Sequence, residues 1–228
     1  MSEHSAPGFT LIEMAIVLVI VALLLGGMMM PLSVQIDQRK NSDTQKALDE
    51  INQALIGFAI LNGRLPRPAA SAIDGSERAV ICATESDCAG FIPWAALGVS
   101  KLDAWNNIFR YKVTMAYTTV FSPATARTIT VRTRNNAGAL VSLTLASDIP
   151  AVVLSHGKNG YGSTSDNGTA QSAVPPLNVD ETTNATGTAG FVSRPPGKTA
   201  TDGEFDDIVV WLSPNILFNR MIAAGKLP

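Results

Sequence analysis

The chain has 228 residues, which is enough for one or two domains with a sizeable hydrophobic core. Its formal net charge is −2, so the charge balance gives no indication of a nucleic acid or an anionic surface as a partner. Charged residues make up only 16% of the chain, below the roughly 25% that is typical of soluble domains.

The first predicted element is an apolar helix. No charged residue lies between Met14 and Ile36, and a run of this length can cross a bilayer as a helix. A cleaved secretory signal is the alternative, but such a signal combines a basic start, a shorter apolar region and a small-residue cleavage site. The run here is longer, and GGMMMPL at 26–32 matches such a site poorly. The sequence therefore favours a retained membrane anchor.

Gly26, Gly27 and Pro31 form a predicted weak point in this helix. Pro31 has no N–H to donate to the carbonyl of Gly27, and its ring crowds that carbonyl. Together these residues make the helix about 5 kcal/mol less favourable than alanine would. The segment is either an ordinary proline kink in a membrane helix or the place where the helix unwinds under strain.

Beyond Pro31 the helix is predicted to continue as an amphipathic one. Apolar residues recur at spacings of three and four from Ala47 to Ala59, which is typical of a helix with one buried face. Asn62-Gly63 and the prolines that follow end it near Leu61. The first half is apolar all round, which indicates a membrane or a fibre core, and the second half is apolar on one stripe, which indicates packing on a sheet.

The rest of the chain predicts short strands and one short helix. Segments with strand-like patterns lie at 107–121, 127–133, 140–146, 151–156 and 207–213, with a hairpin turn at 135–138. Residues 157–204 are rich in Gly, Ser, Thr, Asn and Pro and predict a long exposed loop. Ser213 and Pro214 begin a C-terminal helix that Gly225 ends. The predicted fold is α+β, with the long N-terminal helix on an antiparallel sheet of four to five strands.

Cys82 and Cys88 form the only intrachain pair that the sequence allows. A disulfide closing so short a loop adds about 2–3 kcal/mol in the chain-entropy model, and it persists only in an oxidising compartment. Two unrelated free thiols are the alternative, whereas a structural zinc site needs about four such ligands.

Arg39 and Lys40 follow the apolar run, and by the positive-inside rule they argue against export of the part beyond them.

The start of the apolar run carries the most specific motif, GFTLIE at residues 8–13. Its glutamate, Glu13, costs roughly 2.5–3.5 kcal/mol in a bilayer interior. With the short polar leader, Pro31 and the amphipathic extension, it resembles the N-terminus of the type IV pilin and type II secretion pseudopilin superfamily. The resemblance implies cleavage by prepilin peptidase between Gly8 and Phe9 and methylation of the new Phe9 amine. It also implies that Glu13 meets the N-terminal amine of a neighbouring subunit, as a register device for two buried charges.

A second resemblance lies in LDAWNNIFRYKV at 102–113. It is similar to the D-x-W-G-N-x-Y-x-Y segment that opens the sheet of major pseudopilins, and Asn107 is assigned to the position of the glycine. The segment therefore supports a sheet that begins here.

Two further segments, SHGKNG at 155–160 and GEFDDIVVW at 203–211, resemble parts of the calcium-binding loop of those proteins. The resemblance implies calcium ligands among the carboxylates of this region, namely Asp202, Glu204, Asp206 and Asp207. Carboxylate oxygens are the hard ligands that calcium requires. Ordinary solvated carboxylates beside a strand are the alternative, and no other cofactor is expected.

These features divide the chain into a leader (1–8), a transmembrane and assembly helix (9–35) and a periplasmic globular domain (36–228) with a loop at about 157–204. The expected protein is a single-pass inner-membrane precursor that becomes a structural subunit of a pilus (fimbrium) or pseudopilus. Its expected partners are other subunits, prepilin peptidase, the inner-membrane assembly platform and, before assembly, membrane lipid. No nucleic-acid partner is expected.

Two other hypotheses remain open at this point. Within the family, a minor subunit that primes or tips the filament accounts for the long loop. In a different class, a membrane-anchored periplasmic binding protein never polymerises. Catalysis is not expected, because His156 is the only histidine outside the leader and the chain lacks the G-x-S-x-G and H-E-x-x-H motifs.

Overall fold

The computed structural model describes residues 8–143, 149–187 and 190–227, except the side chains of residues 24–32. The predicted leader lies outside the described residues apart from Gly8. The chain forms two compact units, one ending at Asn41 and the other beginning at Ser42.

Four α-helices and nine strands follow one another along the described chain. The helices are α1 (Leu11–Asn62), α2 (Trp94–Leu97), α3 (Val179–Thr186) and α4 (Pro214–Ala223). The strands are β1 (Ala89–Phe91), β2 (Arg110–Val113), β3 (Thr130–Arg134), β4 (Leu140–Ser142), β5 (Ala151–Ser155), β6 (Gly190–Val192), β7 (Gly197–Thr199), β8 (Gly203–Phe205) and β9 (Ile208–Trp211).

The unit that ends at Asn41 contains the N-terminal part of α1. Every large apolar side chain from Phe9 to Leu23 is exposed, from 43% at Val21 to 92% at Leu11. The helical backbone continues through Gly26–Pro31, so the predicted weak point does not interrupt the helix, and bending or unwinding there stays a prediction. Within the part of the chain whose side chains are described, no helix is long and apolar enough to cross a membrane.

In the other unit, the C-terminal part of α1 packs on a four-stranded antiparallel sheet. The strand order is β1-β2-β5-β9, with every neighbouring pair antiparallel. Leu48, Ile51 and Leu55 of α1 are fully buried and share one core with Tyr111 of β2 and Val153 of β5. The predicted α+β class, antiparallel sheet and C-terminal helix are therefore confirmed.

A second core lies on the opposite face of this sheet. Side chains alternate along a strand, so Val152 and Leu154 of β5 point away from α1, and Val209 of β9 joins them. They contact Val131 and Phe191, which belong to a smaller sheet with the order β4-β3-β6. In this sheet β3 and β4 form the predicted hairpin, whose turn is closed by the amide of Gly138 donating to the carbonyl of Asn135 (2.9 Å).

Several predicted strands are shorter in the structure. Within residues 107–121 the structure forms one strand, β2, and a 3₁₀ turn follows at Met115–Thr118. The predicted strand at 140–146 is represented by β4, and its residues 144–146 lie outside the described residues.

The prediction of a long exposed loop over 157–204 was wrong. The segment contains α3, β6, β7 and β8, and it buries Asp180, Glu181 and Asn184. Its polar composition suggested disorder because it offers few core-forming side chains. In the structure the missing apolar contacts are replaced by hydrogen bonds and ion pairs among buried polar groups.

The turn before β2 corrects the assignment of the glycine position. Asn106, not Asn107, has the left-handed backbone conformation that favours glycine (φ 67°). The amides of Trp105 and Asn107 each donate to Oδ1 of the buried Asp103 at 2.9 Å, and Ser155 at the end of β5 donates to its Oδ2 at 2.6 Å. Asp103 therefore connects this turn to β5.

The predicted disulfide between Cys82 and Cys88 is confirmed. Both cysteines are buried in the core that contains α1. Lys112 of β2 contacts the disulfide loop, because its Nζ donates to the carbonyl of Glu85 at 2.6 Å.

Candidate functional site

The bond between Gly8 and Phe9 lies just before α1. Both residues are exposed, and Phe9 is 82% exposed. A side chain added at Gly8 would meet no atom within 4 Å in the described structure. The bond is therefore accessible on the side that the structure describes.

Glu13 and Thr10 form a capping box at the start of α1. Oε2 of Glu13 accepts hydrogen bonds from the amide and the hydroxyl of Thr10, at 2.8 and 2.9 Å. The hydroxyl of Thr10 in turn accepts one from the amide of Glu13 at 3.3 Å. A helix leaves its first amides without partners, and this reciprocal arrangement satisfies two of them.

The capping box gives Glu13 a local role that our sequence analysis missed. The Thr-x-x-Glu spacing in FTLIE is itself the sequence signature of such a box. Both hydrogen bonds from Thr10 end on the same oxygen, Oε2. The carboxylate is thereby held at the N-terminal end of α1, against Thr10, the residue that follows Phe9.

A second candidate site is the acidic cluster, formed by Glu181, Asp206 and Asp207. One carboxylate oxygen of each lies within 4.8 Å of the other two. Glu181 stands in the first turn of α3, and the two aspartates connect β8 to β9. Glu181 and Asp207 are buried and Asp206 is half-buried.

Asparagine side chains surround the cluster. Asn159 and Asn178 each donate to one oxygen of Glu181 at 2.7 Å, and Asn184 donates to Oδ2 of Asp207 at 2.8 Å. The amide of Asn159 donates to Oδ2 of Asp206 at 2.8 Å. These bonds orient the carboxylates and leave other oxygens of the cluster available.

Some buried polar atoms of the cluster and of the neighbouring His156 have no hydrogen-bond partner among the described residues. They are Oδ1 of Asp206, Oδ1 of Asp207 and both ring nitrogens of His156. Nδ1 of His156 lies 3.5 Å from Oδ1 of Asp207. Buried polar atoms without partners are uncommon, and each one calls for a ligand, an ion or a water.

The electrostatics of the cluster favour a cation. Burial raises the pKa of Asp206 to about 7, and the nearby charges of Glu181, Asp207 and Glu204 add to this effect. Burial also raises the pKa of Glu181, with Asp207 contributing. Oxygen-only donors with negative charge suit calcium or magnesium, so the residues present fit such an ion.

The loop at 155–160 closes over one side of the cluster. Gly157 has a left-handed backbone (φ 62°), and a Cβ there would collide with the carbonyl and carboxylate of Asp206. Glycine is needed because the two backbones approach so closely. The two segments that resemble a calcium loop are therefore brought together in the structure.

Only some of the predicted calcium ligands lie in the cluster. Asp206 and Asp207 do, whereas Asp202 lies in the turn between β7 and β8, bonded to Thr199 and 3.2 Å from Nη1 of Arg134. Glu181 takes the third place. No sequence motif pointed to Glu181, because it lies in the segment that was predicted as a loop.

The prokaryotic N-terminal methylation motif matches residues 5–29. This motif is the prepilin-type signature of type IV pilins and pseudopilins, and it covers Gly8, Phe9 and Glu13. The chain thus carries the signature of a pilin- or pseudopilin-like substrate of prepilin peptidase. At this level the motif implies interaction with that peptidase and with other pilin subunits, and it is typical of structural proteins rather than enzymes. No curated protein and no solved structure matches the chain.

The raised pKa of Asp206 predicts how stability depends on pH when metal ions are chelated. Its ordinary pKa is 3.8 and its folded pKa is about 7, so the folded state holds a proton between these values that the unfolded state has lost. Stability therefore falls as the pH rises through this range. Asp206→Asn should remove this loss and stabilise the chelated protein at about pH 8 by on the order of 1 kcal/mol, with little change at about pH 4.

Urea unfolding of the full chain in detergent, with EDTA present, measures this effect. Glu50→Gln is the matched control, because Glu50 is exposed on α1. A pH profile of Asp206→Asn that runs parallel to the wild-type profile would contradict the prediction.

Proposed function

We propose that the chain is the precursor of a structural subunit of a type IV pilus or a type II secretion pseudopilus. Prepilin peptidase cleaves it between Gly8 and Phe9, and the new amine of Phe9 is methylated. Residues 9–35 lie in the inner membrane before assembly and in the filament core after it, and the domain from residue 36 is periplasmic. The disulfide between Cys82 and Cys88 supports an oxidising compartment for that domain.

The observation that carries this proposal is the exposure of the apolar side chains from Phe9 to Leu23, which lie within the matched methylation motif and follow its expected cleavage site. Burying a Leu, Ile or Val side chain contributes about 1.5–3 kcal/mol, so such a surface is not left in water. Lipid covers it before assembly, and the same faces of other subunits cover it afterwards.

Polar groups then decide whether the helix favours the filament core over the lipid. Lipid tails are as apolar as leucine, so moving an apolar helix from lipid into a helix bundle gains little from the hydrophobic effect. Glu13 and the amine of Phe9 on a neighbouring subunit supply an attraction that lipid lacks. Methylation keeps the positive charge of the amine, so the ion pair survives it, and its geometry sets the axial register between subunits.

The acidic cluster adds a second component to the proposal. Asp206, Asp207 and Glu181 hold a calcium ion, and the ion compensates the negative charge of the buried carboxylates. Their oxygens supply the hard ligands that calcium prefers. The ion would fix the turn between β8 and β9 against the loop at 155–160, and this stabilises the domain rather than performing chemistry.

The folded segment at 157–204 supports a second candidate within the family, a minor subunit that primes or tips the filament. The segment carries α3 and three short strands. A segment of this size is harder to accommodate in every subunit of a shaft than in one subunit at its end. The ratio of this subunit to the major subunit in sheared filaments distinguishes the two roles, since a tip subunit is present in only a few copies.

Replacing Gly8 by valine should block processing. The expected product retains its leader and carries no methyl group at Phe9, because the peptidase no longer accepts the junction. Intact-mass measurement of the membrane-extracted protein reads this directly, and Ala6→Val is the control that changes the leader but not the junction.

A mature N-terminus at Phe9 in the Gly8→Val variant would argue against the cleavage site. A wild-type protein that starts at Met1, or near residue 30, would favour the anchored binding protein instead.

Two substitutions separate the charge of Glu13 from its capping role. Glu13→Gln keeps the hydrogen-bond acceptor of the capping box but removes the charge, so it should be processed and membrane-bound yet incorporated into filaments about tenfold less or worse. Thr10→Ala removes the cap and keeps the charge, and it should cause a smaller loss, because a cap contributes about 1 kcal/mol. Immunoblots of sheared filaments and membranes measure both. Normal incorporation of Glu13→Gln together with a failure of Thr10→Ala would assign the role to the cap.

Calcium should raise the stability of the wild-type protein by about 2.7 kcal/mol at a concentration about 100 times its Kd. Asp207→Asn should abolish most of this gain, because it removes a charged ligand. Asp202→Asn is the matched control, since Asp202 lies outside the cluster and pairs with Arg134. Thermal unfolding with calcium and with EDTA tests this, and an equal loss in both variants would contradict the ligand set.

A further inference from the structure

Two adjacent acidic residues in the first turn of helix α3, which face different surroundings, help to attach it to the rest of its unit. Asp180, which is 1% exposed, pairs with two arginines. Nε and Nη2 of Arg134 lie 2.8 Å from its carboxylate oxygens, and Nε of Arg194 lies 2.7 Å from Oδ2. The charge of this first attachment is compensated by the protein itself.

The second attachment is Glu181, the next residue in α3. It is fully buried, and its Oε1 accepts hydrogen bonds from the side chain of Asn159 and from the amide of Asp206 at 2.7 and 3.1 Å. It therefore bridges α3 to the loop at 155–160 and to the turn before β9. Unlike Asp180, it brings its charge next to two further carboxylates.

The same cluster also determines the position of β8. Asn178, which precedes α3, donates to Oε2 of Glu181 and accepts from the amide of Glu204 in β8 at 3.0 Å. One turn further along α3, Asn184 donates to Asp207 and also pairs with both backbone groups of Val192 in β6. The ends of α3 and two neighbouring strands thus depend on how the cluster is held.

Two independent observations indicate that the cluster is built to receive an ion. Asp206 and Asp207 each keep a buried oxygen without a hydrogen-bond partner in the described chain. His156, which is fully buried, points its Nδ1 toward Asp207, and neither of its ring nitrogens makes a hydrogen bond there. Three carboxylates this close repel one another unless a cation compensates them.

We propose that Glu181 is a calcium ligand contributed by the folded segment at 157–204, and that calcium occupancy controls whether α3 stays docked. This rests on the proposed calcium site. It extends the effect of the ion from the turn between β8 and β9 to the whole folded segment at 157–204. With calcium bound, α3 and the β7–β8 hairpin are held on the domain. Without it, α3 remains attached through Asp180 and through the hydrogen bonds between Asn184 and Val192, and it opens locally.

Hydrogen exchange measured by mass spectrometry on the full chain in detergent tests this. If opening of α3 releases the ion, calcium at about 100 times its Kd should slow amide exchange in Val179–Thr186 by about 100-fold relative to EDTA. Amides of β2 serve as the internal reference, because β2 pairs on both sides within the main sheet and exchanges only when the whole domain unfolds. Local opening of α3 in EDTA should therefore make its amides exchange faster than those of β2.

Two neighbouring variants provide the matched comparison. Glu181→Gln should weaken calcium binding by roughly tenfold or more and should remove most of the calcium-dependent slowing in α3. Asp180→Asn breaks the arginine pairs instead. It should speed exchange in α3 in both buffers while keeping the ratio between them.

The outcomes distinguish this inference from the calcium site itself. If calcium raises the thermal stability of the wild-type protein but leaves exchange in α3 unchanged, the control of α3 is overturned and the site stands. The same holds if Glu181→Gln behaves like the wild type in both measurements. If the wild-type protein shows no calcium response at all, the site and the inference fall together. The wild-type comparison needs no substitution, so it decides the question even if a variant does not fold.

Discussion

The packing of one stripe of α1 on the central sheet is the constraint on which the rest of the domain depends. Leu48, Ile51 and Leu55 are fully buried against side chains of β2 and β5. Because side chains alternate along a strand, this contact fixes which residues of β5 face the other way. Val152 and Leu154 are then committed to the second core with β3 and β6. All five residues of β5 are buried, so the two cores share one strand and support each other.

Buried polar groups, together with Phe191 in the second core, hold the folded segment at 157–204 on this frame. Asp180 compensates two arginines, and the guanidinium of Arg194 also lies 4.5 Å above the ring of Phe205. The neighbouring acidic cluster is the opposite case, because burial, with a further contribution from the crowded carboxylates, raises the pKa of Asp206. Buried polar networks are stabilising when every member has a partner and costly when one lacks it. The contrast between these two adjacent networks is what makes the cluster a candidate ion site.

Much of the fold and part of the site could be predicted from the sequence. The spacing of apolar residues from Ala47 to Ala59 gave the buried face of α1, and Asn62-Gly63 gave its end, because periodicity and helix stops are local signals. Glu13 was identified from its motif, and Asp206 and Asp207 from a family resemblance. Glu181 could not be found this way, since its role depends on a long-range contact between α3 and the turn before β9. The segment around it was misassigned because composition measures apolar content and not the pairing of polar groups.

The order of strands in the central sheet bears on how the domain folds. Among the described residues, β9 is the strand furthest along the chain, and its one partner there is β5, which precedes the folded segment at 157–204. Because the chain is made from its N-terminus onward, β5 is complete before β9, the strand that pairs with one of its edges. Closing so long a connection also carries an entropic cost. Until β9 pairs with it, this edge of β5 is open to pairing with another chain.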